Sequence, residues 1–122
     1  MYLFDTDVMS RVVKATPPKA LIERLSRIPR MLQFTTSINA AEVYCGACRT
    51  GRRDELIRAF EKLVLSRLTV LPFDLESARV FGRLKALLEA RGLPRSEPDL
   101  RIAAIALQHR LTIITGNVRH FS

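Results

Sequence analysis

Three carboxylates far apart in the chain carry the chemistry that this sequence can do: Asp5, Glu42 and Asp99. Asp5 closes the apolar run Met1-Tyr2-Leu3-Phe4, Glu42 sits among small and apolar residues from Ser37 to Val43, and Asp99 opens the apolar stretch Leu100 to Leu107. A buried carboxylate without a partner is expensive to ionise. Several of them in one chain call for a common reason, and a divalent cation is the simplest. Mg²⁺ and Mn²⁺ are hard ions that take oxygen ligands, and Mg²⁺ keeps several waters, so a few carboxylates, water and a substrate phosphate make an adequate site. Such an ion inverts the sign of the local field, polarises a phosphoryl oxygen and activates water as the nucleophile. The expected chemistry is metal-dependent hydrolysis.

Each acid also has a structural reading. Asp5 is placed to cap a helix that follows a strand, and Asp99 stands three residues after Ser96, a capping-box spacing. Glu42 is harder to explain structurally. The positions that share its helix face, Ile38, Cys45 and Gly46, offer no basic partner. Asp7 and Glu97 read as first-turn helix acids. Asn117, in Thr115-Gly116-Asn117, reads equally as a turn residue or as a group that orients water or phosphate. His109 reads as a helix C-terminal residue, and His120 as a surface residue or a phosphate contact. Cys45-Gly46-Ala47-Cys48 has the two-residue spacing of zinc and redox sites, but no second pair of ligands accompanies it. It reads as small residues at a packed helix contact.

The elements that must position these groups alternate between strand and helix. Strands are predicted at Leu3-Phe4, from Met31 to Thr35, from Leu68 to Phe73 and from Leu111 to Ile114. Helices are predicted from Asp5 to about Lys14, from Lys19 to Ile28, from a Ser37 cap to Gly51, through Leu56, Ile57, Phe60, Leu63 and Val64, and from an Asp74 cap with the stripe Leu75, Ala78, Phe81, Leu84 and Leu88. A last helix follows Ser96 and is apolar nearly all round through Ile102, Ala103, Ile105 and Ala106. This order predicts an α/β fold, a three-layer α/β/α sandwich around a mostly parallel sheet of four to five strands. Sites in such sheets form beyond the carboxyl ends of the strands, where Asp5 and the Thr115–Asn117 turn both fall.

Composition sets the remaining bounds. The 122 residues are expected to form one domain, 1–122, with 48% hydrophobic residues. The formal net charge of +8 favours a polyanionic or acidic partner, nucleic acid or protein. No apolar run is long enough to span a bilayer, the N-terminus lacks the basic flank of a signal peptide, and the two cysteines make no disulfide framework. A reduced, cytoplasmic setting is expected.

Four segments in order resemble the PIN-domain ribonucleases, specifically the VapC-type toxins of bacterial toxin–antitoxin pairs. Leu3-Phe4-Asp5-Thr6-Asp7-Val8-Met9 resembles the family's opening hydrophobic-D-T-N/D-V-hydrophobic motif, and Ser37 to Gly46 resembles its helix with Glu followed four residues later by Gly. Pro98 to Ala104 resembles its D-x-x-I-A-A helix, and Leu111 to Phe121 its last strand and T-x-N-x-x-D/E/H-F turn. The resemblance implies a PIN-like fold and a Mg²⁺- or Mn²⁺-dependent endoribonuclease that hydrolyses RNA phosphodiester bonds with a metal-activated water. It places Asp5, Glu42 and Asp99 as the catalytic and metal-holding acids, with Thr6, Thr115, Asn117 and His120 as supporting or phosphate contacts. It also implies a homodimer and a cognate antitoxin protein. Two departures stand out: His120 occupies the place of a fourth acid, and the sequence stops at Ser122 where relatives continue into a short strand, so a domain lacking that strand is expected. Two other readings stay open from the residues themselves. One is a nucleic-acid- or partner-binding module with a degenerate metal site. The other is a haloacid-dehalogenase-like phosphatase, suggested by Asp5-Thr6-Asp7 after a strand but lacking the later Gly-Asp motif and motif Lys.

Overall fold

A computed structural model describes residues 1–13 and 18–115. Four short strands, β1 (Tyr2–Phe4), β2 (Gln33–Thr36), β3 (Thr69–Leu71) and β4 (Thr112–Ile114), form one sheet in the order β3-β2-β1-β4. Every pairing is parallel, with Leu3 opposite Phe34 and Ile113, and Thr36 opposite Leu71. The chain therefore steps from β1 outward through β2 to β3 and then returns to the other side of β1. This reversal makes the carboxyl end of β1 the switch point of the sheet, where α/β folds open a crevice.

Parallel strands need crossovers, and the helices supply them: α1 (Thr6–Val12), α2 (Lys19–Ser26), α3 (Ser37–Cys48), α4 (Arg53–Leu63), α5 (Leu75–Ala90) and α6 (Glu97–His109). Successive strand residues point to opposite faces, and β1 divides the core accordingly. Phe4 packs with Val8, Met9, Ala40, Val43, Phe60 and Val64 on one face, while Leu3 packs with Ile102 and Ala106 on the other, against Ile38, Leu111 and Ile113. The result is the expected three layers. Among the described residues no helix is long and apolar enough to cross a membrane.

Several boundaries differ from expectation for local reasons. The strand predicted from Met31 is a 3₁₀ turn over Arg30–Leu32, closed by Leu32 N–H donating to the Pro29 carbonyl, and β2 begins only at Gln33. The Gln33 side-chain amide donates to the carbonyls of Leu25 and Ile28, satisfying chain that leaves α2. The strand from Leu68 to Phe73 shortens to Thr69–Leu71 because Pro72 has no N–H to give the ladder. Thr36, not Ser37, caps α3, its hydroxyl accepting from Asn39 N–H at 3.1 Å, and the helix ends at Cys48 rather than Gly51. Leu75, assigned to the inner stripe of α5, is 72% exposed, since it directly follows the Asp74 cap and turns to solvent. Cys45 and Cys48 are exposed rather than packed. Asn39, Ala40, Val43 and Ala47 occupy the inward side of α3, which leaves both thiols outside.

The Phe4-side core centres on Phe60, fully buried and edge-on to Tyr44 with ring centroids 5.5 Å apart. Phe60→Ala is expected to lower the unfolding free energy by about 3–5 kcal/mol, as for other large-to-small core changes. Leu75→Ala should stay within about 0.5 kcal/mol of wild type. Urea unfolding of the two variants checks both values.

Candidate active site

Asp5 is the first residue beyond β1, and two backbone facts fix it there. Its N–H donates to the Ile114 carbonyl at 2.9 Å, tying it to the end of β4, and its carboxylate Oδ1 accepts from Thr6 N–H at 2.8 Å as the N-cap of α1. The capping reading of Asp5 is thus correct, but capping uses only one oxygen. Among the described residues, Oδ2 takes no hydrogen bond. Glu42 lies on α3, which starts from the neighbouring strand end, and Thr6 joins the two acids: its hydroxyl donates to Glu42 Oε1 at 3.2 Å.

Asp99 stands in the first turn of α6, where Ser96 Oγ accepts from its backbone N–H at 3.3 Å. Ser96 therefore does the capping, and the Asp99 side chain stays exposed with no hydrogen bond or ion pair among the described residues. Its charge nevertheless reaches both other acids. Burial raises the Asp5 carboxyl above its ordinary 3.8, the charges of Asp7 and Asp99 raise it further, and the bonds from Thr6 and Asn39 oppose them. Glu42 is also raised, first by partial burial and then by Asp5, Asp99 and Asp7, against the Thr6 hydroxyl. Because Glu42 is exposed to solvent, its shift is the more strongly screened, and Asp5 is the acid that feels its surroundings most.

Four acids thus share one electrostatic neighbourhood. Asp7, expected as a plain first-turn helix acid, does sit in the first turn of α1, but its charge also falls on Asp5 and Glu42. The five ion pairs among the described residues lie elsewhere, and none of the Arg and Lys side chains among those residues pairs with the cluster. Among the described residues no three His, Cys, Asp or Glu side chains are grouped so as to hold one ion between them. The gathering is electrostatic rather than a finished coordination shell. The donor set still fits a hard divalent cation, since it is all oxygen, doubly exposed at Glu42 and Asp99, and repulsive without a counter-charge. Mg²⁺ needs only one or two carboxylates when water and phosphate supply the rest. Thr115 follows β4, half-buried beside this edge, whereas Asn117 and His120 lie outside the described residues.

Sequence reading passed over Asn39 and Thr36. Both are fully buried and polar, and Asn39 links Asp5, Thr6 and Thr36. The available signal was an amide three residues before Glu42, on a helix side otherwise filled by Ala40, Val43 and Ala47.

Comparison with known proteins identifies the family and the fold. Residues 2–122 match the PIN domain family. A curated relative, Ribonuclease VapC2 of Haemophilus influenzae, is 34% identical over 122 residues, covering 98% of this chain and 89% of the relative. Among solved structures, DNA-bound VapBC from Salmonella typhimurium superposes with a TM-score of 0.86 at 28% identity, covering 98% of this chain and 89% of that one. VapBC-1 from nontypeable Haemophilus influenzae gives a TM-score of 0.80 at 31% identity, with the same coverage.

Raised carboxyl groups make stability depend on pH in a stated direction. Between the ordinary 3.8 and the raised value, folded Asp5 holds a proton that the unfolded chain has lost. Its contribution is therefore full below that window and declines as pH rises through it. Asp5→Asn keeps the cap oxygen and removes the charge, so without divalent ions it should melt above wild type at pH 7. The gap should close toward pH 4. A melting-temperature series across pH reads this, and a gap of the opposite sign at pH 7 would contradict the cluster.

Proposed function

Since the chain belongs to the PIN-domain family, we propose that it is a metal-dependent endoribonuclease, the toxin of a toxin–antitoxin pair. The observation that carries this reading is the set of acids at the switch point of the sheet, Asp5 and Glu42 bridged by Thr6 within the field of Asp99, with no ion pair to a cationic side chain among the described residues. A protein of net charge +8 attracts RNA over long range. Its acid cluster would repel a phosphodiester unless a cation stood between them. The two features together fit an enzyme that draws in a polyanion and handles it through Mg²⁺ or Mn²⁺.

In this mechanism Asp5 and Asp99 would hold the ion, and Glu42 would complete its surroundings or take the proton from the attacking water. When bound, Mg²⁺ or Mn²⁺ supplies Lewis-acid polarisation of the phosphoryl oxygen and a lowered water pKa. The chain does the rest. Asp5, anchored to β4 through its N–H and to α1 through Oδ1, offers Oδ2 in a set direction. Thr6 occupies Oε1 of Glu42 and leaves Oε2 to act. A raised Glu42 carboxyl is closer to the pKa wanted of a base near neutral pH. Arg95 lines a groove with Asp99, and on this reading it would be a cation for a phosphate of the bound strand. Thr115 is the further backbone contact proposed at the end of β4, with Asn117 and His120 following it in the chain.

The relatives in VapBC assemblies support an antitoxin as protein partner, and a homodimer is part of the same proposal. A cytoplasmic setting is part of the same proposal, since two cysteines make no disulfide framework.

Incubating the protein with total RNA should give cleavage that requires Mn²⁺ or Mg²⁺ and stops in excess EDTA. Attack by water leaves 5′-phosphate and 3′-hydroxyl ends, which end-mapping distinguishes. Cyclic-phosphate ends, or full cleavage in EDTA, would overturn the mechanism. Asp5→Asn should lose cleavage by at least about a hundredfold while remaining folded. RNA binding that ignores both EDTA and Asp5→Asn, without any cleavage, would mark a binding module instead. Because protons and the cation compete for acids whose metal-free carboxyls are raised, the acid limb of the cleavage rate should move to lower pH as Mn²⁺ is increased. pH–rate profiles at several Mn²⁺ concentrations measure it.

A further inference from the structure

Asn39 is fully buried on the inward side of α3, three residues before Glu42, and all of its side-chain hydrogen-bonding capacity toward the site is used. Its Nδ2 donates to Asp5 Oδ1 at 3.0 Å and to Thr6 Oγ1 at 3.1 Å. Its Oδ1 accepts from the Thr36 hydroxyl at 2.6 Å. Thr36 is itself fixed, because its Oγ1 accepts from Asn39 N–H as the cap of α3.

These bonds leave one orientation for the amide. The Thr36 hydroxyl proton must find an acceptor, and Asn39 Oδ1 is there. Turning the amide over would set Oδ1 against Asp5 Oδ1 and two donors against Thr36. With Nδ2 facing Thr6, the Thr6 oxygen is an acceptor on that side, and its own proton goes to Glu42 Oε1. The direction of donation runs from Thr36 in the core through Asn39 to Asp5, and through Thr6 to Glu42.

From this geometry we infer that Asn39 is a positioning residue for the acid site. It occupies one oxygen of Asp5 directly and one of Glu42 through Thr6, so that Oδ2 and Oε2 face the ion and substrate. The inference rests on the metal-dependent nuclease reading for its consequence, but not for its geometry. Asn39 touches neither ion nor RNA. Partners of this kind hold ligands in place, and their loss weakens metal affinity or activity about 10–100-fold.

Three measurements test it. In the metal-free wild type, both Asn39 side-chain amide protons should resist exchange with solvent by NMR, and Thr6→Val should release one of them. Mn²⁺ titrated calorimetrically into Asn39→Ala should bind about tenfold more weakly than into wild type. In RNA cleavage the same variant should lose kcat by roughly 10–100-fold, with KM for RNA within about twofold. Thr6→Val tests the arm to Glu42 without opening the core, so it decides the matter even where Asn39→Ala unfolds, and it should lower kcat with KM unchanged. In the double variant the losses should not multiply, because both residues act through one chain of bonds. Mn²⁺ affinity and kcat unchanged in Asn39→Ala, or unchanged kcat in Thr6→Val, would overturn the positioning role, as would freely exchanging Asn39 amide protons. A wild type that neither binds Mn²⁺ nor cuts RNA, while those protons stay protected, would overturn the nuclease reading instead.

Discussion

The structure depends on holding like charges together with no ion pair to them among the described residues. Asp5, Asp7, Glu42 and Asp99 act on one another at the carboxyl edge of the sheet, and the ion pairs of the described residues all lie away from them. Repulsion at this edge is resisted by neutral donors: the Thr6 N–H and hydroxyl, and the Asn39 amide. Dipoles of this kind hold a carboxylate in place without cancelling its charge. An arginine in the same position would have stabilised the fold more and left nothing for a cation to do.

That arrangement draws on the topology. The chain reverses direction across the sheet at β1, so the residue after β1 is flanked by the ends of β2 and β4. One flank supplies the Ile114 carbonyl for the Asp5 backbone, and the other supplies α3 with Asn39 and Glu42. α6 brings Asp99 from the opposite layer, its Leu100, Ile102, Ala104, Ile105 and Ala106 buried while its first turn remains open. Core packing on both faces of β1 thus serves as the alignment device for acids that are far apart in the chain.

Stability and chemistry pull in different directions here. Burial raises the Asp5 carboxyl, so the ionised site costs folding free energy at neutral pH, a cost that a bound cation would relieve. Charge elsewhere follows a different rule. Lys85 and Arg101 share Glu97 on the exposed α5–α6 surface, where such pairs are worth little, and the surplus of basic residues remains available to a polyanion. The molecule as a whole is positive and its site negative. On the nuclease reading proposed above, an intermediary ion would reconcile the two.

Much of this was legible in the residues. Alternating strand and helix patterns specified three layers, because apolar periodicity is a local property of each segment. Asp74 and Ser96 announced their helices by cap chemistry, and Asp5, Glu42 and Asp99 stood out as acids in apolar company. Element ends were less legible: Thr36 took the cap from Ser37, and a 3₁₀ turn replaced the start of β2, since both depend on where neighbouring chain leaves a donor or acceptor free. The outward turn of Cys45 and Cys48, the nearness of Asp7 to the other acids and the buried role of Asn39 were decided by tertiary structure alone. An amide's spacing in sequence says that it can hydrogen-bond. Only the meeting of β1, β2 and their helices determines that its partners are Asp5, Thr6 and Thr36.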